Sequence, residues 1–165
     1  MRCYVKIKIF TVGGTIDKVY FDQKSTYQVG KPQVKKILEI AGVAFDYEIE
    51  QIIRKDSLDM NSKDRQKVFD RIKNCEQDKV LITHGTDTMV QTAKKLNTIK
   101  AKTIVLTGSM QPARFRDSDA IFNIGSAVGA LVSSKPGTYI VMNGRRFDPE
   151  TVRKNVEKGV FEKIS

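Results

Sequence analysis

Apolar residues gather in five short runs separated by stretches with helical spacing. The runs at 6–12, 46–53, 79–83, 103–107 and 138–142 are rich in Val, Ile and Leu and read as strands. Between the first two lies a helical pattern at 34–41, with Pro32 before it and Gly42 after it, the asymmetry expected of helix ends. A second helix, 62–73, sets Val68, Phe69 and Ile72 on one face and Lys and Arg on the other. Two more are expected at 88–96 and 118–132. The last is apolar or small almost throughout, so it should be largely buried. Strands alternating with helices predict a single α/β domain with a doubly wound, mostly parallel sheet. Runs such as Val80-Leu81-Ile82 and Ile104-Val105-Leu106 suit strands covered on both faces. The polar segment 20–30 reads as a hairpin or a mobile loop. The tail 143–165 is charged and shows only weak helical periodicity.

A length of 165 residues fits one domain with one sizeable core. The net charge of +10 admits a polyanion partner or a lysine-rich solvated surface. The lysines are scattered and no nucleic-acid motif accompanies them, so the solvated surface is the better reading. No apolar run is long enough to span a bilayer, and the N-terminus alternates apolar and basic residues, unlike a signal peptide. Cys3 and Cys75 form neither a disulfide framework nor metal-ligand spacing, which points to a reducing cytoplasm. No metal and no cofactor is called for, and neither nucleic acid nor membrane is an expected partner.

In a parallel sheet the turns after the strands share one edge, where such folds bind ligands. Gly13, Gly14 and Thr15 follow the first strand; Asp56, Ser57 and Leu58 the second; Gly85, Thr86 and Asp87 the third; Gly108, Ser109 and Met110 the fourth; and Asn143 the fifth, with Lys154 further on. Two threonines in glycine-softened turns, a carboxylate and a lysine suggest hydroxyl chemistry. Backbone N–H groups at Gly13-Gly14 and Gly108-Ser109 could stabilise an oxyanion. Singly, each residue has a plainer role: Thr88, Asp56 and Asp117 as helix caps, Ser57 as a turn residue, and His84 as a structural histidine.

The stretches Gly13-Gly14-Thr15-Ile16 and Thr83-His84-Gly85-Thr86-Asp87-Thr88-Met89 resemble the two active-site motifs of bacterial-type L-asparaginases. Tyr27-Gln28-Val29-Gly30 is similar to the family's flexible lid and Asp56-Ser57-Leu58-Asp59-Met60 to its substrate-binding turn. Leu106-Thr107-Gly108-Ser109-Met110-Gln111-Pro112, Ser118-Asp119-Ala120-Ile121-Phe122-Asn123 and Val141-Met142-Asn143 with Lys154 continue the likeness in order. The resemblance agrees with a three-layer α/β/α fold of flavodoxin-like or Rossmann-like type. It implies hydrolysis of the side-chain amide of L-asparagine, or a related small amide, to the acid and ammonia. Thr15 would be the nucleophile and Tyr27 the residue that closes over it. Thr86, Lys154 and Asp87 would form a second activating set, with backbone N–H near Thr86 facing the oxyanion. Substrate contacts implied are Gly14, Ser57, Leu58, Thr86, Asp87 and Ser109, with Ser57 and Asp87 on the α-carboxylate and α-ammonium.

Two departures change the expectation. Leu58 stands where many members carry a polar residue, so a substrate contact is expected to be lost. Residues 1–165 resemble only the family's N-terminal catalytic domain, and its C-terminal domain is expected to be absent. Competing readings are a glutamine-directed amidase, an amidase component of tRNA-dependent amidation, and a non-catalytic module that binds an acidic amino acid or a partner protein. The apolar helix 118–132 predicts a homo-oligomer, a homodimer in form, unless the tail folds back over it.

Overall fold

A computed structural model describes residues 5–24 and 26–164. Residues 1–4, Cys3 among them, Ser25 and Ser165 lie outside those residues. The core is a six-stranded sheet of β1 (Lys6–Gly13), β4 (Asp46–Lys55), β5 (Lys79–Thr83), β6 (Thr103–Thr107), β7 (Gly137–Met142) and β8 (Arg145–Phe147). Their spatial order is β4-β1-β5-β6-β7-β8, parallel throughout except for the antiparallel β8. The five parallel strands thus run in the order second, first, third, fourth, fifth, and the direction of winding reverses between β1 and β5. That reversal opens a crevice beyond the strand ends.

Side chains alternate across the sheet and sort the core into two layers. Ile7, Ile9, Leu81 and Val105 face α1 (Val34–Ala41) and α4 (Ala120–Ser133). Phe10, Ile82, Ile104 and Leu106 face α2 (Ser62–Asn74) and α3 (Met89–Leu96). The connections through α2, α3 and α4 all advance the same way across the sheet, yet α4 lies on the opposite face from the other two. It therefore has the opposite hand. The strong right-handed preference of parallel crossovers fits the connections through α1, α2 and α3 and makes the β6–α4–β7 connection the left-handed exception.

The segment 20–30 belongs to an antiparallel hairpin of β2 (Lys18–Phe21) and β3 (Thr26–Val29). The tail differs from its weak helical pattern. A two-residue turn at Asn143 and Gly144, both with positive φ, returns the chain into β8, and β9 (Val152–Asn155) pairs with β10 (Val160–Lys163). Val152 and Phe161 join the core layer of α2 and α3, so the tail's apolar residues do not cover α4.

The last helix, expected to be largely buried, is covered along one stripe in the single chain. Ala120, Ile124, Ala127 and Leu131 are buried on the sheet, but Ile121 and Phe122 are 55% and 62% exposed. One sheet face can cover only one stripe of a helix. Asp117 caps no helix: α4 starts from Asp119, which turns its carboxylate back onto Met110 and Gln111 N–H. No helix among the described residues is long and apolar enough to cross a membrane.

Candidate active site

The site forms where the turns after β1 and β5 press together. Gly13 and Gly14 have φ of 106° and 92°, and a Cβ on Gly14 would lie 2.3 Å from the Cα of Gly85. Only glycine permits both that backbone and that approach. The contact sets Thr15, next after Gly14, beside the turn that carries Thr86 and Asp87.

Below this turn His84 is buried between two partners. Its Nδ1 lies 2.8 Å from the Gly85 carbonyl and its Nε2 2.8 Å from the Thr92 hydroxyl. A carbonyl only accepts, so Nδ1 carries the proton and Nε2 accepts from Thr92. Burial pushes the histidine down to about 4, against the raising effect of the Gly85 bond, so it is neutral near pH 7. His84 holds the turn rather than moving a proton in it.

From the tail, β9 delivers Lys154. Its Nζ donates to Thr86 Oγ1 at 2.8 Å and to Asp87 Oδ1 at 2.6 Å. Lysine, hydroxyl and carboxylate are therefore gathered into one cluster. Thr15 and Tyr27 line a shared cavity of about 370 Å³ with Lys18 and Phe115. Tyr27 is half exposed on β3, packed between Tyr20 at 5.3 Å and Phe115 at 6.2 Å between ring centroids.

Asp17 ties the two ends of that hairpin together. Its Oδ1 accepts from Gln33 N at 2.8 Å and its carbonyl from Gly30 N at 2.7 Å. Burial pushes its carboxyl up to about 6, opposed by the Gln33 bond and by the charge of Arg54.

Other residues singled out from the sequence have more constrained places. Asp56 Oδ1 caps Leu58 N–H at 3.2 Å, and Leu58 stands on the rim, 70% exposed. Ser57 is buried, and its Oγ accepts from Thr88 N at 3.3 Å. The Thr88 hydroxyl makes no helix cap; it donates to the Ser57 carbonyl at 2.8 Å and locks the two turns together. Ser109 is buried and spends its hydroxyl on the Gln111 carbonyl. The loop after β6 is anchored by Asn123, which donates from Nδ2 to the Gly108 carbonyl at 3.0 Å and to Asp119 at 2.9 Å. Lys18, Asp17 and Phe115 were not singled out for chemistry. Lys18 and Asp17 directly follow the first threonine motif, which is the signal that could have found them.

A family model described as "Asparaginase, N-terminal" matches residues 6–160. The chain belongs to the asparaginase family. It is 34% identical over 169 residues to "L-asparaginase 2" of Escherichia coli, covering 90% of this chain and 46% of that protein. It is 37% identical over 132 residues to "Glutaminase-asparaginase" of Acinetobacter glutaminasificans, covering 76% of this chain and 38% of that protein. The fold superposes on L-asparaginase I from Vibrio cholerae with a TM-score of 0.84 at 25% identity, over 98% of this chain and 52% of that one. This asparaginase-family chain spans about half the length of these relatives. The three-layer fold and the mostly parallel sheet agree with the structural neighbour.

Proposed function

We propose that this chain hydrolyses the side-chain amide of L-asparagine to L-aspartate and ammonia through an ester on Thr15. The observation that carries the reading is Lys154 Nζ within 2.8 Å of Thr86 and 2.6 Å of Asp87, on the turn packed against Gly14 and Thr15. Thr15 Oγ attacks the amide carbon while its proton passes to Tyr27, which closes over it. Backbone N–H groups beside Thr86 hold the developing oxyanion. The C–N bond breaks, ammonia leaves with the proton, and a β-aspartyl ester remains. Water activated by the Thr86–Lys154–Asp87 set then cleaves the ester and restores Thr15. Gly14 shapes the pocket, and Ser57, Leu58, Asp87 and Ser109 frame the amino-acid end. No step calls for a metal or a cofactor.

Ammonia release from L-asparagine, D-asparagine and L-glutamine, measured side by side, tests this. Fastest turnover of L-asparagine supports it. A preference for L-glutamine would move the substrate, and no release from any of them would favour an amino-acid-binding module.

The same reading includes a homo-oligomer. Its support is the outer face of α4, where Ile121, Phe122 and Val132 are exposed and, among the described residues, no neighbour comes within 4 Å of where a Cβ would stand on Gly125 or Gly129. A cytoplasmic setting completes the proposal. It is supported by a chain with only two cysteines, of which Cys75 is free.

A further inference from the structure

Lys18 carries the only charge among the residues lining the Thr15 cavity. It also lines the adjoining cavity of about 510 Å³, where Asp56 and Leu58 sit, and so stands where the two meet. Its Nζ lies 2.6 Å from Asp56 Oδ2, and both side chains are about a quarter exposed. The pair is thus open to solvent and to a ligand. Partial burial works against the charged form of Asp56. Hydrogen bonds from Lys18 and from Leu58 N–H outweigh it and hold the carboxyl below its ordinary range.

The other groups that could receive an anionic end of a substrate stand outside the lining of the Thr15 cavity. Ser57 Oγ is buried and bonded to Thr88 N. Lys154 bridges Thr86 and Asp87. Arg54 donates from Nε to the Val29 carbonyl at 2.8 Å, and Lys55 is paired with Asp64 at 2.9 Å. Lys18 is the one cation lining that cavity beside Thr15, and its partly exposed partner Asp56 can be exchanged. An incoming carboxylate replaces one anion by another at the same Nζ. Asp56 is not stranded, because its other oxygen keeps the Leu58 N–H.

We propose that Lys18 is the specificity-determining cation of the site, binding the carboxylate of the substrate and restricting turnover to amides that carry one. This rests on the hydrolysis reading above and names its substrate class. Because Lys18 is the first residue of β2, recognition of the carboxylate is built into the hairpin that also carries Tyr27. Docking of substrate and placement of the hairpin over Thr15 are then one event.

The test compares wild type, Lys18→Met and Lys18→Arg on L-asparagine and on 3-aminopropanamide, which is asparagine without its carboxylate. For L-asparagine, Lys18→Met should raise KM about tenfold or more with kcat changed less than about threefold, the pattern of lost ground-state binding. Turnover of 3-aminopropanamide should be slow in wild type and unchanged in the variant, and Lys18→Arg should retain most of the asparagine affinity. Equal KM for L-asparagine in wild type and Lys18→Met overturns the proposal. Calorimetric titration with the product L-aspartate gives a readout independent of turnover. Affinity lost in Lys18→Met but kept in Lys18→Arg supports the assignment; equal affinity in all three, or none in wild type, overturns it. Should wild type release no ammonia from any amide, the hydrolysis reading falls while this titration still decides Lys18. Little change in thermal unfolding of either variant is expected, since a solvent-accessible ion pair adds little stability.

Discussion

Lys154 and Asp87, 67 positions apart in the chain, meet at 2.6 Å, and the same ammonium holds Thr86. Lys154→Met should therefore lower asparagine turnover by about a hundredfold or more, the usual scale for loss of a proton-transfer group. Lys158→Met, on the turn between β9 and β10, should change it by less than about twofold. Initial rates of ammonia release check both; similar small effects would remove Lys154 from the chemistry.

Thr15 is half-buried in the glycine turn beside Gly85. Thr15→Ala should abolish detectable turnover, a fall of about a thousandfold or more. Stability should shift by only about 0.5 kcal/mol, the range of a turn substitution that leaves no buried partner. Paired rate and urea-unfolding measurements decide this. A variant that folds and retains most activity would show that another group attacks the amide.

Phe115, in the loop after β6, meets Tyr27 of the hairpin edge-on at 6.2 Å between ring centroids. Such a pair is worth about 0.5–1.5 kcal/mol. Phe115→Ala should loosen residues 18–29, raising their amide hydrogen exchange by about two- to tenfold and raising KM. Exchange confined to wild-type levels would mean that Asp17, Gly30 and Arg54 suffice to hold the hairpin.

Asp17 and His84 pull stability in opposite directions with pH. Asp17 titrates at about 6 in the folded chain against an ordinary 3.8, so its stabilising contribution is full below about pH 4 and is lost as pH rises to 6. His84 titrates at about 4 against 6.5, so its contribution is full above pH 6.5 and is lost as pH falls to 4. Between pH 4 and 6 the two slopes largely cancel. Asp17→Asn keeps an oxygen for Gln33 N–H but removes the titration. It should raise stability at pH 7 by about 1–3 kcal/mol and unmask a rise of about 1 kcal/mol per pH unit from pH 4 to 6. Urea unfolding across this range reads the slope, and an unchanged profile would mean that Asp17 titrates normally.

The outer face of α4 makes a claim about assembly. Light scattering at micromolar concentration should give a mass at least twice 18.6 kDa. Phe122→Glu should return it to that single-chain value, because an exposed glutamate costs nothing in the monomer but is buried at a shared apolar face. A wild-type mass of 18.6 kDa that does not rise with concentration rules the oligomer out.

Local order was legible in the residues themselves. The runs at 79–83 and 103–107 match β5 and β6 end to end, because strands covered on both faces need unbroken apolar sequence. Helix α1 matches 34–41, stopped by Gly42 in the left-handed conformation. Asn143-Gly144 also carried a hairpin signal that the charged tail masked. Its core residues Val152 and Phe161 lie on paired strands, so no helical or strand period links them within the sequence. The motifs around Thr15 and Thr86 identified the family, since each is a short contiguous string.

Tertiary structure alone decided the rest. An apolar helix such as α4 has no sequence mark saying which stripe meets the sheet, nor that its crossover takes the opposite hand. Lys18 finds Asp56 because strand order puts β1 between β4 and β5, and Lys154 finds Asp87 because β9, packed beside α3, brings its lysine to the turn after β5. Periodicity records the environment of each segment, whereas the chemistry of this site depends on which turns become neighbours, and that is settled only when the whole sheet is assembled.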